Sequence, residues 1–322
     1  MPTPRRPLLG AALAPLAFPA AAQDAYPTRP ITVITGYAPG GLTDLTTRSI
    51  AERMQRELGH PIVVENRTGG ATAVASTAVA GARPDGYVLL MGASSLAINP
   101  ALQPSLTPRD PRAELLPVGF AYRSAFVLHV HPGLPVRNVA ELIAWAKANP
   151  GRLNFGSSGT GAVNHLALEL LRTRAGIEVV HVPYRGGAPA LIDLRQGRIG
   201  AMFQAALEAI PAIREGATRP LAVSGLDRLA LLPDVPPVAD TLPGFDATFW
   251  QGLFAPVGTP APVVARLSAA LKTATDDPAL RARMAEQGVA IETGDASMLA
   301  RVLAEDTEMW GRLIRDAGIR PE

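Results

Sequence analysis

Four segments of the 322-residue chain combine glycine with small hydroxyl residues: Ala38-Pro39-Gly40-Gly41-Leu42-Thr43-Asp44, Gly92-Ala93-Ser94-Ser95, Gly156-Ser157-Ser158-Gly159-Thr160-Gly161 and Tyr184-Arg185-Gly186-Gly187. Glycine lets the backbone approach a ligand closely, and Ser or Thr adds a hydroxyl donor. Where such a segment opens a helix, its unpaired N–H groups and the positive end of the helix dipole can hold an anion without a buried cation. The ligand implied is a small anion. Any one segment also reads as an ordinary N-cap with turn glycines, and it is the repetition in matching positions that favours the anion. No segment ends in the Gly-Lys-Ser/Thr that grips nucleotide phosphates, and none has the spaced glycines of a dinucleotide fold, so nucleotides are not expected.

Other reactive constellations are thin. Ser157 and Ser158 stand between glycines but do not form the Gly-x-Ser-x-Gly turn that exposes a nucleophile. His165 and Glu169 lie one helical turn apart and could share a metal, but a pair needs a third ligand. The other reading is that His165 hydrogen-bonds the adjoining loop. His129 and His131 share one face of a strand and, with Pro132 following, suggest an edge or a strand end. Asp44 could act as a general base, or it could cap its helix and brace its loop. The chain has no cysteine, which removes disulfides, thiolate metal sites and thiol nucleophiles together. No cofactor, no metal and no enzymatic activity are expected.

For the four loops to face one ligand, the elements around them must bring them together at the carboxyl ends of strands, where ligands of open α/β sheets sit. The patterning supports this. A strand over 31–35, a glycine-rich loop and a helix over 45–58 with apolar Leu45, Ile50, Met54 and Leu58 are followed by strand 62–64, helix 72–81 and strand 87–91. A second series runs through strand 125–130, helix 139–148, strand 153–155, helix 162–173, strand 178–182, helix 189–195 and strand 199–203. Alternation of this kind implies α/β units with parallel strands. Residues 247–256 are extended, and helices over 262–275 and 297–317 close the chain with no strand of their own to cover. The chain is therefore expected to cross back near Phe249, with hinge crossings there and near Tyr122. That divides it into a first domain of residues 23–121 plus 250–322 and an inserted second domain of residues 122–249.

Residues 1–22 read as a secretory leader: Arg5-Arg6, an apolar run to Phe18, and Ala20-Ala21-Ala22 before a polar junction. The arginine pair also permits the twin-arginine route, so export by either pathway to the periplasm is expected. Without the leader the 30 basic and 28 acidic residues become 28 of each. A balanced chain with no basic block lacks the footprint of a nucleic-acid binder, and no stretch beyond the leader could span a membrane. A mature chain of about 300 residues is near the size at which one core splits in two.

With these features in place the chain resembles the tripartite tricarboxylate transporter substrate-binding proteins, also called the Bug family. The matching pieces are Tyr26-Pro27 with Pro30-Ile31, Pro39-Gly40-Gly41 with Thr43-Asp44, Val64-Glu65-Asn66-Arg67, Pro84-Asp85-Gly86-Tyr87 and Leu96-Ala97-Ile98-Asn99-Pro100. They continue through Gly156-Ser157-Ser158-Gly159 with His165, His181-Val182-Pro183-Tyr184, Leu232-Pro233-Asp234-Val235-Pro236 and Ala255-Pro256-Val257-Gly258-Thr259-Pro260. The resemblance implies a two-domain periplasmic-binding-protein fold of the second topological type, α/β throughout, closing on a ligand in the cleft between its domains. It implies a carboxylate ligand, whether a di- or tricarboxylate, an aromatic acid or an acidic amino acid, and a membrane permease of two subunits as partner to a monomeric receptor. A sensing or scavenging role without a dedicated permease is the alternative. By matched position the ligand contacts would be Tyr37, Ala38, Gly41, Thr43 and Ser94 from the first domain and Ser158, Thr160, Gly161, Tyr184 and Gln204 from the second. Relatives often carry aspartate at the position of Gln204 and a third glycine at that of Leu42. From the neutral amide at 204 alone, ligands with an amino group are expected to be disfavoured.

Overall fold

The computed structural model describes residues 26–320 except 107 and 287, so the leader over 1–22 lies outside the described residues. In chain order the elements begin with β1 (Ile31–Thr35), α1 (Leu42–Leu58), β2 (Ile62–Asn66), α2 (Ala73–Ala80), β3 (Val88–Ala93), α3 (Ser95–Leu102), α4 (Pro111–Glu114) and the long β4 (Leu115–Val130). They continue with α5 (Val139–Ala148), β5 (Asn154–Ser157), α6 (Val163–Ala175), β6 (Val180–Pro183), α7 (Gly187–Arg195), β7 (Ala201–Ala205), α8 (Ala206–Arg214) and β8 (Arg219–Val223). The last elements are β9 (Thr248–Pro256), α9 (Ala261–Asp276), α10 (Pro278–Ala285), β10 (Ala290–Gly294) and α11 (Ala296–Asp316).

The strands form two groups that share β4. In the first, β1 pairs in parallel with β2 and β3, while β9 runs antiparallel to β3 and to the first part of β4, whose other edge takes β10. In the second, the last residues of β4 lie between antiparallel β7 and β8, and β7 leads in parallel to β5 and then β6. The sheets are therefore mixed where the alternation of elements implied parallel strands. β4 and β9 pair antiparallel, side by side from Leu115 opposite Pro256 to Ala125 opposite Thr248, and these long strands supply the antiparallel part of the first group. The end of the chain also differs from expectation. β10 stands between α10 and α11 and pairs with Arg123 and Tyr122, so the terminal helices do have a strand of their own.

Helix α1 starts three residues earlier than the apolar spacing implied. Its buried ladder is Leu42, Thr46, Ile50, Met54 and Leu58, one residue per turn, which leaves Leu45 on the outer face at 40% exposure. Gly59 ends it in the left-handed region (φ 72°) and donates its N–H to the Gln55 carbonyl at 2.9 Å, the stop that a glycine at this place implies. The closing helix α11 turns Leu299, Val302, Leu303, Trp310 and Ile314 inward. Each such side chain withdrawn from water contributes roughly 1.5–3 kcal/mol. His129 sits near the end of β4, yet β7 and β8 flank it on both sides. It is fully buried, its Nδ1 lies 3.0 Å from the Thr218 hydroxyl, and burial pushes its pKa down to about 3. That removes the edge reading. Among the described residues no helix is long and apolar enough to cross a membrane.

Candidate functional site

Four helices begin at one cavity of about 110 Å3. The starts of α1 (Gly41, Leu42, Thr43), α6 (Ala162, Val163, Asn164), α7 (Gly186, Gly187, Ala188) and α8 (Ala205, Glu208) all line it. The residues in the N-cap positions are Gly41, Ala162, Gly186 and Ala205, and none makes a side-chain capping bond. Uncapped starts also occur at α2, α3 and α9, away from this cavity, but no helix capped by a side chain begins at it. Asp110, Asn138, Asp277 and Asp295 cap α4, α5, α10 and α11 with side-chain oxygens, and those helices line no part of the cavity. A helix start leaves its first N–H groups without intrahelical partners. Where caps are withheld at a cavity, those donors and the aligned peptide dipoles are left to an anion.

Each loop is held by its neighbours. Asp44, in the first turn of α1, reaches back to accept the Gly40 N–H at 3.0 Å, and its other oxygen accepts from Arg48 Nε at 2.9 Å and Asn66 Nδ2 at 2.9 Å. Burial pushes its carboxyl up, but these donors outweigh burial and hold it below the ordinary range. With both oxygens committed, Asp44 braces the loop and is not placed as a base. On the opposite side Asn164 Oδ1 accepts both the N–H (3.2 Å) and the hydroxyl (2.9 Å) of Ser158, while Asn164 Nδ2 donates to the Phe203 carbonyl at 3.1 Å. The 157–161 loop is stitched to the 184–187 loop by Tyr184 N to Ser157 O (3.0 Å) and Gly186 N to Ser158 O (3.1 Å).

The His165 ring accepts the Gly161 N–H at Nδ1 (3.2 Å) and stacks on His181 at 4.0 Å between centroids, and Glu169 pairs with Arg172 at 2.5 Å. Burial, then the neighbouring His181 and Arg172, lower the His165 pKa to about 3. This neutral ring holds the loop, as the second of the two sequence readings has it. Ser157 is fully buried against His181 Nε2 at 2.7 Å, out of reach of a substrate.

A larger cavity of about 680 Å3 adjoins the first and shares Tyr37, Ala38, Ser158, Ala162, Arg185 and Gly186 with it. Its far wall is the 68–72 loop, where Gly69, Gly70, Ala71 and Thr72 have consecutive positive φ values of 129°, 53°, 48° and 78°. Ala71 and Thr72 are not glycines, and residues held there cost on the order of 1–3 kcal/mol each unless the surroundings enforce them. They are enforced: Thr72 Oγ1 lies 2.7 Å from Ser95 Oγ, and Asn99 Nδ2 donates to the Ala71 carbonyl at 2.9 Å. The sequence reading did not single this loop out, although its adjacent Gly69 and Gly70 are a signal that could have marked it. Gly36 lets it approach, since a Cβ there would fall 2.5 Å from Thr72 Cβ and 2.9 Å from Thr72 Cα.

The residues singled out from the sequence divide as follows. Tyr37, Ala38, Gly41, Thr43, Ser158 and Gln204 line the smaller cavity, and Tyr37, Ala38, Ser158, Thr160 and Tyr184 the larger. Burial, with Asp193 beside it, raises the Tyr184 phenol to about 12, and its hydroxyl donates to Asp193 at 2.7 Å, so only its ring and backbone face the cleft. Ser94 and Gly161 line neither cavity. Ser94 is fully buried with Oγ accepting the Trp250 N–H at 2.9 Å, and it is the following residue, Ser95, that reaches the larger cavity. Gly161 is buried with its N–H given to His165.

Glu208 was not singled out, because position 208 falls outside every glycine-rich loop. It lines the smaller cavity, and its Oε1 accepts the Leu42 N–H at 3.3 Å across the cleft. Burial raises its carboxyl above the usual range against the opposing effect of that bond. Phe126 and Phe249, with ring centroids 6.3 Å apart, and Tyr37 at 6.2 Å from Phe249 give the cavity an aromatic floor that loop motifs do not show.

Comparison with known proteins agrees with this architecture. The sequence model of the tripartite tricarboxylate transporter family receptors matches residues 46–319. A protein of Pseudomonas sp. strain P51, described as a UPF0065 protein in the tcbD-tcbE intergenic region, is 37% identical, with 96% of this chain and 93% of that protein covered. The structure of Rpa4515 from R. palustris with adipate superposes with a TM-score of 0.87 at 31% identity, covering 92% of this chain and all of that one. MatC from Rhodopseudomonas palustris with bound malate gives a TM-score of 0.84 at 32% identity, covering 90% of this chain and all of that one. The fold is thus the two-domain α/β fold of periplasmic binding proteins.

Proposed function

We propose that this chain, which belongs to the tripartite tricarboxylate transporter receptor family and is a solute-binding protein rather than an enzyme, captures a small carboxylate in the cavity where α1, α6, α7 and α8 begin. The observation that carries the reading is the convergence of four helix starts, none capped by a side chain, on one cavity, while capped helices lie elsewhere. An oxyanion placed there receives backbone N–H donors from several directions, and each helix dipole favours its charge. The adipate and malate carried by two structural relatives belong to the same ligand chemistry. Thr43 and Ser158 line the rim, and Tyr37, Phe126 and Phe249 provide apolar contact for the carbon skeleton.

The receptor works as a monomer in the periplasm after export of the chain by its 1–22 leader, through the general or the twin-arginine route. Residues 23–121 with 250–322 form one domain and residues 122–249 the other, hinged where the chain crosses near Tyr122 and Phe249. Ligand engages one set of helix starts first, and closure adds the other set and excludes water. The closed form is what a two-subunit membrane permease recognises. A thermal-shift screen against mono-, di- and tricarboxylates and amino acids tests the reading. A ligand at 100 times its Kd adds about 2.7 kcal/mol of stability. A flat response from protein that native mass spectrometry has verified to be ligand-free would overturn the carboxylate assignment.

A further inference from the structure

One side chain in this anion cavity has the wrong sign for an anion site. The Glu208 carboxylate, third residue of α8, touches only two donors, the Leu42 N–H and Gln204 Nε2. Among the described residues no basic side chain pairs with it. Arg185, the only basic residue lining the cavity, is exposed at the mouth. A half-buried carboxylate without a cation is costly, because two neutral donors replace only part of its hydration.

Gln204 deepens the mismatch. It is 1% exposed, and its amide must present Nε2 to Glu208, since the reverse orientation would set two acceptors together. Its Oε1 is thereby left buried with no hydrogen-bond partner, on a side chain that lines the cavity. Neither group can swing away through the α7 side. A Cβ on Gly187 would fall 2.2 Å from Glu208 Oε2 and 2.5 Å from Gln204 Nε2, so the start of α7 is already packed against the pair. A charged acceptor thus lines a space whose other walls are helix-start backbone, neutral side chains and, at its mouth, Arg185.

We propose that the ligand is an amino acid, its ammonium group held by the Glu208 carboxylate and its carboxylate held by the N–H groups at the starts of α6 and α7. A zwitterion fits a cavity that carries both signs, and a plain dicarboxylate would set a second negative charge against Glu208. This reverses the expectation drawn from the neutral amide at position 204 alone, because the acid lies one helical turn further along. The inference rests on the carboxylate reading above.

The test is isothermal titration calorimetry of the purified full chain at pH 7.5 with matched trios: aspartate, malate and succinate; glutamate, 2-hydroxyglutarate and glutarate; phenylalanine, phenyllactate and 3-phenylpropionate. The expected result is that in at least one trio the amino member binds ten-fold or more tighter than both others. Glu208→Gln, which keeps the shape and an acceptor for Leu42, is expected to reduce that preference at least ten-fold. A hydroxy or unsubstituted acid binding as tightly as the amino member in every trio would overturn the proposal, in a wild-type measurement that needs no variant. A folded Glu208→Gln protein with an unchanged preference would also overturn it. Binding of the plain acids alone would leave the carboxylate reading standing and sink this one. Failure of every acid to bind would sink both.

Discussion

The contact between Glu208 and the start of α1 can be tested without any ligand, by placing a second acid beside it. Gly41 is the N-cap residue of α1 with φ −83° and ψ 174°, an extended conformation open to any residue. A Cβ there meets nothing nearer than Glu208 Oε1 at 3.4 Å, an ordinary contact. Gly41→Asp therefore fits sterically, and as a cap it should add a few tenths of a kcal/mol over glycine. Against that gain stands the charge. With its Cβ 3.4 Å from Oε1, the new carboxylate lies on the order of 4 Å from the old one, and two unit charges at that distance repel by about 4 kcal/mol at an effective dielectric constant of 20. Opening the cleft or protonating Glu208 relieves part of this, which makes the figure an upper bound. The double-mutant cycle of Gly41→Asp and Glu208→Gln, followed by urea denaturation at pH 8, isolates the pair. The single Gly41→Asp change should destabilise, and most of the loss should vanish on the Glu208→Gln background, with a coupling of about 1 kcal/mol or more. Additivity within about 0.5 kcal/mol would refute the placement of Glu208 at the α1 start.

Other consequences follow from the same contacts. The Glu208 carboxyl is raised on folding, so its protonated form favours the native state: that contribution is complete below the unfolded value near 4.5 and is lost as pH rises through the folded one. The stability of Glu208→Gln minus that of the parent should accordingly grow from pH 4 upward, and a pH-independent difference in urea titrations would contradict this. Asp44 has the opposite sign. Its lowered carboxyl contributes stability above about pH 4 that is lost as pH falls through the folded value. Asp44→Asn should cost about 1–3 kcal/mol at pH 7 by leaving a buried donor unpaired, and the loss should shrink in acid, as thermal melts at pH 7 and pH 3 would reveal. Ser94→Ala strands the buried Trp250 N–H and should cost about 1–3 kcal/mol while leaving ligand affinity within two-fold, a split that calorimetry and melting together can read.

The strand, loop and helix order of the chain was legible because each element carries a local signal: the β-branched run of β1, the Gly59 stop of α1, the apolar stripe of α11. The pieces that escaped notice carry mixed local signals and are held by partners distant in sequence. Pro211 lies within α8 and Pro100 within α3, and both helices persist because tertiary packing overrides the residue's own preference. β10 exists through its pairing with Tyr122 and Arg123, which no short window shows. The site divides the same way. Loops whose glycines and hydroxyls announce a helix start were found, and six of the ten residues named from the sequence line the smaller cavity. Ser94 and its neighbour Ser95 have the same side chain in the same loop, and only the packing of Trp250 against Ser94 decides which one faces the cleft.

Why Glu208 escaped is a physical matter as well. Backbone donors at helix starts favour anions irrespective of which carbon skeleton the anion carries, so the part of the site visible as sequence motif is the part that contributes least to selectivity. Discrimination must come from side chains that enter the cavity from elements with no motif: Phe126 from β4, Phe249 from β9, Gln204 from β7 and Glu208 from α8. These sit on three strands and one helix, and sheet register fixes the strand positions, as where Gln204 stands opposite Val127 and Phe126 opposite Ala205. A one-residue change of register in β7 would turn Gln204 to the other face and send Phe203 into the cavity. The uncapped helix starts would remain at the cavity, and the polar amide of Gln204 would be replaced there by an aromatic ring.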